Sequence, residues 1–155
     1  MARSRYRWFI VFLLFGYPVA FSLAACGLFF GFVGIELGTI EVERTAAAQN
    51  DPLFATLPQR FAAQSAHRQS VRRLPAGAVL LAGNAFEPHH AYRVGARAWG
   101  VQFHPEFSAA ATAAYVRAVG TAAEPAPQVG SSEASATVLQ RFAEVVAAST
   151  QPASG

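Results

Sequence analysis

The sequence contains no lysine; all twelve of its Lys/Arg positions are arginine, a bias of the kind a GC-rich genome imposes rather than a binding signal. The formal net charge is only +3, and Arg3, Arg5 and Arg7 alone make a surplus of that size. The other basic cluster, Arg68, Arg72 and Arg73, has no interleaved aromatics and no nucleic-acid module around it, so nucleic acid is excluded as a partner. A single cysteine, Cys26, excludes an internal disulfide and leaves the redox compartment unmarked. At 155 residues the chain has length for one domain, but its apolar residues are unevenly spread.

The most extended absence is of charge. From Trp8 to Ile35 no Asp, Glu, Arg or His occurs. As one helix this run would measure roughly 42 Å at about 1.5 Å per residue, more than the roughly 30 Å hydrocarbon core of a bilayer. It therefore reads as a membrane-like helix, with Tyr6 and Trp8 at an interface and the Arg cluster on the cytoplasmic side. Gly16 and Pro18 predict a kink or a break into two shorter pieces. A buried core helix and a signal peptide are the competing readings. Leu23-Ala24-Ala25-Cys26 has the form of a lipobox, whereas Gly27 to Val33 stays apolar beyond it. The residues Phe15-Gly16-Tyr17-Pro18-Val19-Ala20-Phe21-Ser22-Leu23 and Phe32-Val33-Gly34-Ile35-Glu36-Leu37-Gly38 also resemble the first membrane segment of the large permease component of tripartite ATP-independent periplasmic transporters, over about residues 9–38. A transporter of that kind needs many spans, and the remaining sequence has no second such run, so transport is not expected of this chain.

Beyond Gly38 the pattern becomes that of a folded domain. Thr39-Ile40-Glu41-Val42-Glu43 alternates β-branched with acidic residues, a strand with one wet face. Asp51-Pro52-Leu53-Phe54 and Leu57-Pro58 are turn and helix-start material, and Phe61 opens a segment that leads to His67 and Val71. Ala78 to Ala82 is a buried-type strand; Tyr92–Val94 and Trp99–Phe103, joined by Gly95-Ala96-Arg97, form a hairpin. Ser108 to Val119 is an Ala-rich helix capped by Ser108, residues 121–132 are a linker, and 133–149 is an amphipathic helix. Its stripe of Val138, Leu139, Phe142, Val145 and Val146 suits packing on a sheet. The divisions expected are 1–36, a membrane-like segment; 37–120, a folded domain; 121–132, a linker; 133–149, the helix; and 150–155, a disordered tail.

The hairpin ends in Gly100-Val101-Gln102-Phe103-His104-Pro105-Glu106-Phe107. His104 and Glu106 are two apart, so in an extended segment both point to one side, and Pro105 restricts the backbone between them. A carboxylate that takes one ring N–H selects the tautomer and directs the other nitrogen at a nucleophile. By spacing alone such a pair is more often a solvated turn. The whole stretch, however, resembles the closing signature of the class I glutamine amidotransferases, in which Cys, His and Glu hydrolyse glutamine and release ammonia. The landmarks Glu36-Leu37-Gly38-Thr39, Asp51-Pro52-Leu53-Phe54, Leu57-Pro58, His67 with Ser70-Val71, and Leu74-Pro75-Ala76-Gly77-Ala78 follow that family's order over residues 36–150. The resemblance implies the C-terminal part of an open α/β sheet with C-terminal helices, glutamine as substrate, a synthase partner that uses the ammonia, a cytoplasmic setting, His104 and Glu106 as catalytic residues, and His67 as scaffold. No cofactor and no metal are implied; His89 and His90, after Pro88, are loop residues without evident co-ligands.

One element of that chemistry is missing. The nucleophile belongs in a Gly-x-Cys-x-Gly turn, and Cys26 stands instead in Ala24-Ala25-Cys26-Gly27-Leu28, where apolar surroundings raise a thiol pKa. The sequence thus predicts an amidotransferase-like chain inactive on its own, with two alternatives: a membrane-anchored, non-catalytic interaction protein, or a composite reading frame joined near Glu36-Leu37-Gly38.

Overall fold

The structure, a computed structural model, describes residues 30–119 and 127–150. Strand β1 (Phe30–Arg44) leads through a 3-10 turn (Ala46–Asn50) to β2 (Arg60–Val71), β3 (Ala78–Gly83), β4 (Ala91–Val94) and β5 (Ala98–Val101). Helices α1 (Ala109–Val119) and α2 (Glu133–Thr150) follow. The strands form one sheet in the order β2-β1-β3-β4-β5. Every neighbouring pair is antiparallel.

The alternation in Thr39–Glu43 does produce a half-buried strand. Val42 is fully buried, while Glu41 and Glu43 face outward, where both approach Arg60 on β2 at 3.8 and 3.3 Å. The β4–β5 hairpin lies where the sequence places it, with Gly95 at φ 61° in its turn. The core gathers Leu53, Phe54, Phe61, Leu81, Trp99 and Phe103. Of the α2 stripe, Val138 is buried in this core, and Phe142, Val145 and Val146 pack against it, whereas Leu139 remains exposed.

Three expectations change. The apolar run does not end as a helix: Phe30–Ile35 is the first part of β1, so a single element crosses the expected boundary at residue 36. The rest of that run lies outside the described residues, and among the described residues no helix is long and apolar enough to cross a membrane. Hydropathy cannot separate a membrane helix from an apolar strand; here β2 supplies a hydrogen-bonding partner, pairing Phe30 with Val71 and Phe32 with Gln69. Secondly, the resemblance implies an open α/β sheet, and the described sheet is antiparallel throughout, both described α-helices following its last strand instead of crossing between strands. Thirdly, the latter half of the expected linker is docked: Thr39 N–H donates to Gln128 O at 2.7 Å, and Gly130 N–H donates to Thr39 Oγ1 at 2.7 Å.

Asp51 holds the hairpin to the turn preceding β2. Its buried carboxylate accepts from Leu53 N (3.0 Å), Trp99 Nε1 (3.1 Å) and Arg93 Nε (3.0 Å). Asp51→Ala strands the indole N–H and the guanidinium without their acceptor, and a loss of about 3–5 kcal/mol is expected in denaturant unfolding, as for other broken buried pairs.

Gly38 is required by the docked segment. Its φ is 104°, and a Cβ there would lie 2.5 Å from Gln128 O. Gly38→Ala therefore combines backbone strain with a backbone clash, and about 2–4 kcal/mol of destabilisation is expected. A urea midpoint unchanged from that of the unaltered chain would show that the segment does not dock this way.

Candidate functional site

The signature stretch is built from β5 outward. Gln102 N–H donates to His90 O at 2.8 Å, extending the hairpin ladder past Val101. Phe103 is buried, meeting Phe54 and Phe61 edge-on with ring centroids 6.5 and 5.8 Å apart. His104 N–H donates to Gln64 O on β2 at 2.7 Å, and Phe107 N–H then donates to His104 O at 3.2 Å, closing a turn around the buried Pro105. Phe103 is thus anchored in the core and its neighbour His104 is carried at the surface, its side chain 32% exposed.

His104 Nδ1 lies 2.8 Å from Glu106 Oε1. The spacing predicts an extended pair; the structure brings the two together across the turn. An ionised carboxylate only accepts, so Nδ1 carries the proton and Nε2 keeps the lone pair. Phe107 stacks on the imidazole with centroids 4.4 Å apart and planes 16° off parallel, fixing its tilt. The arrangement offers an oriented base with its basic nitrogen set by a carboxylate.

Gly100 has a packing role within the same signature. It faces Tyr92 across the hairpin, and a Cβ there would come within 2.5 Å of the tyrosine ring.

A second cluster of ionisable groups is buried in the sheet. Glu36 on β1 pairs in register with His67 on β2, and its Oε2 lies 3.2 Å from His67 Nε2 and 3.1 Å from His90 Nε2. Asn84 Nδ2 donates to Oε1 at 2.9 Å, and Ser65 Oγ donates to Oε2 at 3.1 Å. Burial disfavours the charge on Glu36, but the close approach of the two imidazoles, the charge of His90 and the Asn84 amide oppose it; the net direction is down, well below the usual carboxylate range. The sequence reading makes His67 scaffold and His90 a loop residue. The structure instead brings both onto one carboxylate, and His90 is fully buried. Sequence reasoning misses this grouping because its members are dispersed along the chain. One signal is available: His90 stands two residues before Tyr92, and so on the same face of an extended segment.

With this geometry in view, the chain proves similar to known proteins of one kind. The family model "Glutamine amidotransferase class-I" matches residues 19–118. The protein therefore belongs to the class I glutamine amidotransferase family. The match begins earlier than the resemblance read from sequence, so it takes in Cys26, and it gives no support to the transporter-like reading of residues 9–38. No curated protein sequence matches the chain. Among solved structures, a glutamine amidotransferase from Methylobacillus flagellatus aligns with TM-score 0.55 and 20% identity over 74% of this chain and 51% of its own. A protein from Thermoplasma acidophilum, described as one component of a GMP synthase, aligns with TM-score 0.54 and 18% identity, over 74% and 46% respectively. At these identities the likeness is one of fold, and the chain spans about half the length of the structures it matches.

The His104–Glu106 contact can be checked directly. Nitrogen NMR of the imidazole should show a protonated Nδ1 and an unprotonated Nε2 at neutral pH, and Glu106→Ala should shift the population towards the Nε2–H form common in free histidine. An unchanged tautomer in that variant would show that the carboxylate does not direct the ring.

Proposed function

We propose that this chain carries the base and its orienting carboxylate of a glutamine-hydrolysing site, His104 and Glu106 respectively, and that it does not hydrolyse glutamine alone. The 2.8 Å contact between these two side chains, in the signature turn of a class I amidotransferase family member, carries the proposal. In the reaction so assigned, His104 Nε2 takes the proton of a cysteine thiol, the thiolate attacks the glutamine side-chain carbonyl, and the imidazolium returns the proton to the departing ammonia. Water, deprotonated by the same nitrogen, then releases glutamate from the thioester. Glu106 keeps Nδ1 protonated and stabilises the imidazolium.

Inactivity rests on the thiol. Cys26 is the sole cysteine, and its sequence surroundings lack the flanking glycines of the nucleophile turn. The ammonia released at a complete site would pass to a synthase component.

Incubation of the full chain with glutamine should release no ammonia above the buffer rate. Turnover that disappears in Cys26→Ala would overturn the inactivity and make Cys26 the nucleophile. Should turnover be present, His104→Ala is expected to lower kcat by about 10²–10⁴-fold, the usual worth of a general base.

A further inference from the structure

We propose that Glu36, His67 and His90 form a binding site for one divalent transition-metal ion, zinc by the chemistry of the ligands. The three come from separate elements, β1, β2 and the residue leading into β4, and their ligand atoms all lie within 4.8 Å of one another. Two imidazoles with one carboxylate favour zinc or a neighbouring transition ion over calcium or magnesium, which prefer oxygen-only shells.

The spacing suits a single small ion. With bonds of about 2.0–2.1 Å to nitrogen and oxygen, a tetrahedral zinc holds its ligands roughly 3.3 Å apart. Oε2 of Glu36 stands 3.2 Å from His67 Nε2 and 3.1 Å from His90 Nε2. Both carboxylate–imidazole separations are thus those of ligands on one ion, and with all three atoms within 4.8 Å of one another a fourth position is left for water.

Hydrogen bonding within the cluster points the same way. His90 is fully buried, yet among the described residues its Nε2, at 3.1 Å from the carboxylate oxygen, makes no hydrogen bond, and neither does its Nδ1 nor His67 Nδ1. A buried nitrogen beside an anionic oxygen, out of line for a proton between them, is a costly arrangement. A cation placed between the two atoms satisfies both. The surrounding groups are those of an outer shell. Asn84 Nδ2 occupies Oε1 at 2.9 Å, which turns Oε2 towards the histidines, and Ser65 Oγ can give up Oε2 for the main-chain carbonyl of Glu36, 3.2 Å away.

The backbone is arranged to present Glu36. Immediately before it the β1–β2 register slips: Val33 to Ile35 on β1 stand against Arg68 alone on β2. Such bulges re-aim side chains and are common beside functional sites. Downstream of this bulge Glu36 faces His67 directly. An ion here would tie the bulged end of β1 to β2 and to the base of the β4–β5 hairpin. None of the proposed ligands belongs to the His104–Glu106 pair.

The test uses the full chain, stripped with chelator and titrated with zinc chloride alone by calorimetry. One ion per chain is expected, together with a melting temperature that rises with zinc concentration. His90→Ala and Glu36→Gln should each weaken binding at least about 100-fold, the upper end of what even an outer-shell change costs, while His104→Ala should leave it unchanged. Absence of zinc uptake, or loss of binding in His104→Ala with retention in His90→Ala, would overturn the proposal. If the cluster variants do not fold, cobalt substitution in the unaltered chain decides. Four-coordinate visible bands without a sulfur charge-transfer band support the site. A hydrated-ion spectrum, or a sulfur band that only Cys26 could supply, refutes it.

Discussion

One glutamine joins the parts of this domain that lie furthest apart in sequence. The main-chain carbonyl of Gln64 receives the His104 N–H, so the signature turn hangs from β2. Its fully buried side chain donates to Gly130 O and Ser132 Oγ and accepts from Thr39 Oγ1. The β1 strand, the signature and the segment entering α2 thus meet at one register position. An amide can serve all of these because it carries both donors and an acceptor; an apolar side chain of equal size would leave several buried groups without partners. The position of the imidazole at residue 104 depends as much on this residue as on the proline that follows it.

The interior is correspondingly mixed in character. One region is an ordinary apolar core of phenylalanines, leucines and Trp99, which the buried Asp51 carboxylate borders through the indole N–H. Elsewhere the sheet carries the Glu36, His67 and His90 cluster, with Asn84 and Ser65 around it. Buried ionic groups contribute little net stability compared with apolar packing, so their presence in a domain of this size argues for a specific task.

What can be read from the sequence follows from how local each signal is. The β4–β5 hairpin, the Ser108-capped helix and the stripe of α2 are each determined by neighbours within one short segment, and all three are in the structure. The pairing of His104 with Glu106 is legible for the same reason. The apolar run up to Ile35 is not, because its identity as strand at Phe30–Ile35 depends on β2, about forty residues later by the pairing register. Docking of residues 127–132 is invisible as well: Pro, Gly and Ser there look like a linker, and only the φ of Gly38 and the buried Gln64 amide show that they have a fixed seat. Glu36 illustrates the remaining gap, since the sequence presents it merely as part of a family landmark, and its burial against two histidines is a tertiary fact.

The glycine of the signature has a meaning beyond the motif. Gly100 is small because the Tyr92 ring occupies the space above it, on the neighbouring strand of the hairpin. Aromatic rings laid over a cross-strand glycine shield its backbone from water and recover packing that the missing side chain forgoes. The two positions therefore form a coupled pair, in which a larger residue at 100 can be accommodated only with a smaller one at 92. Among relatives, the identity of the glycine and of the aromatic eight residues before it should vary together, whatever becomes of the histidine and glutamate that follow.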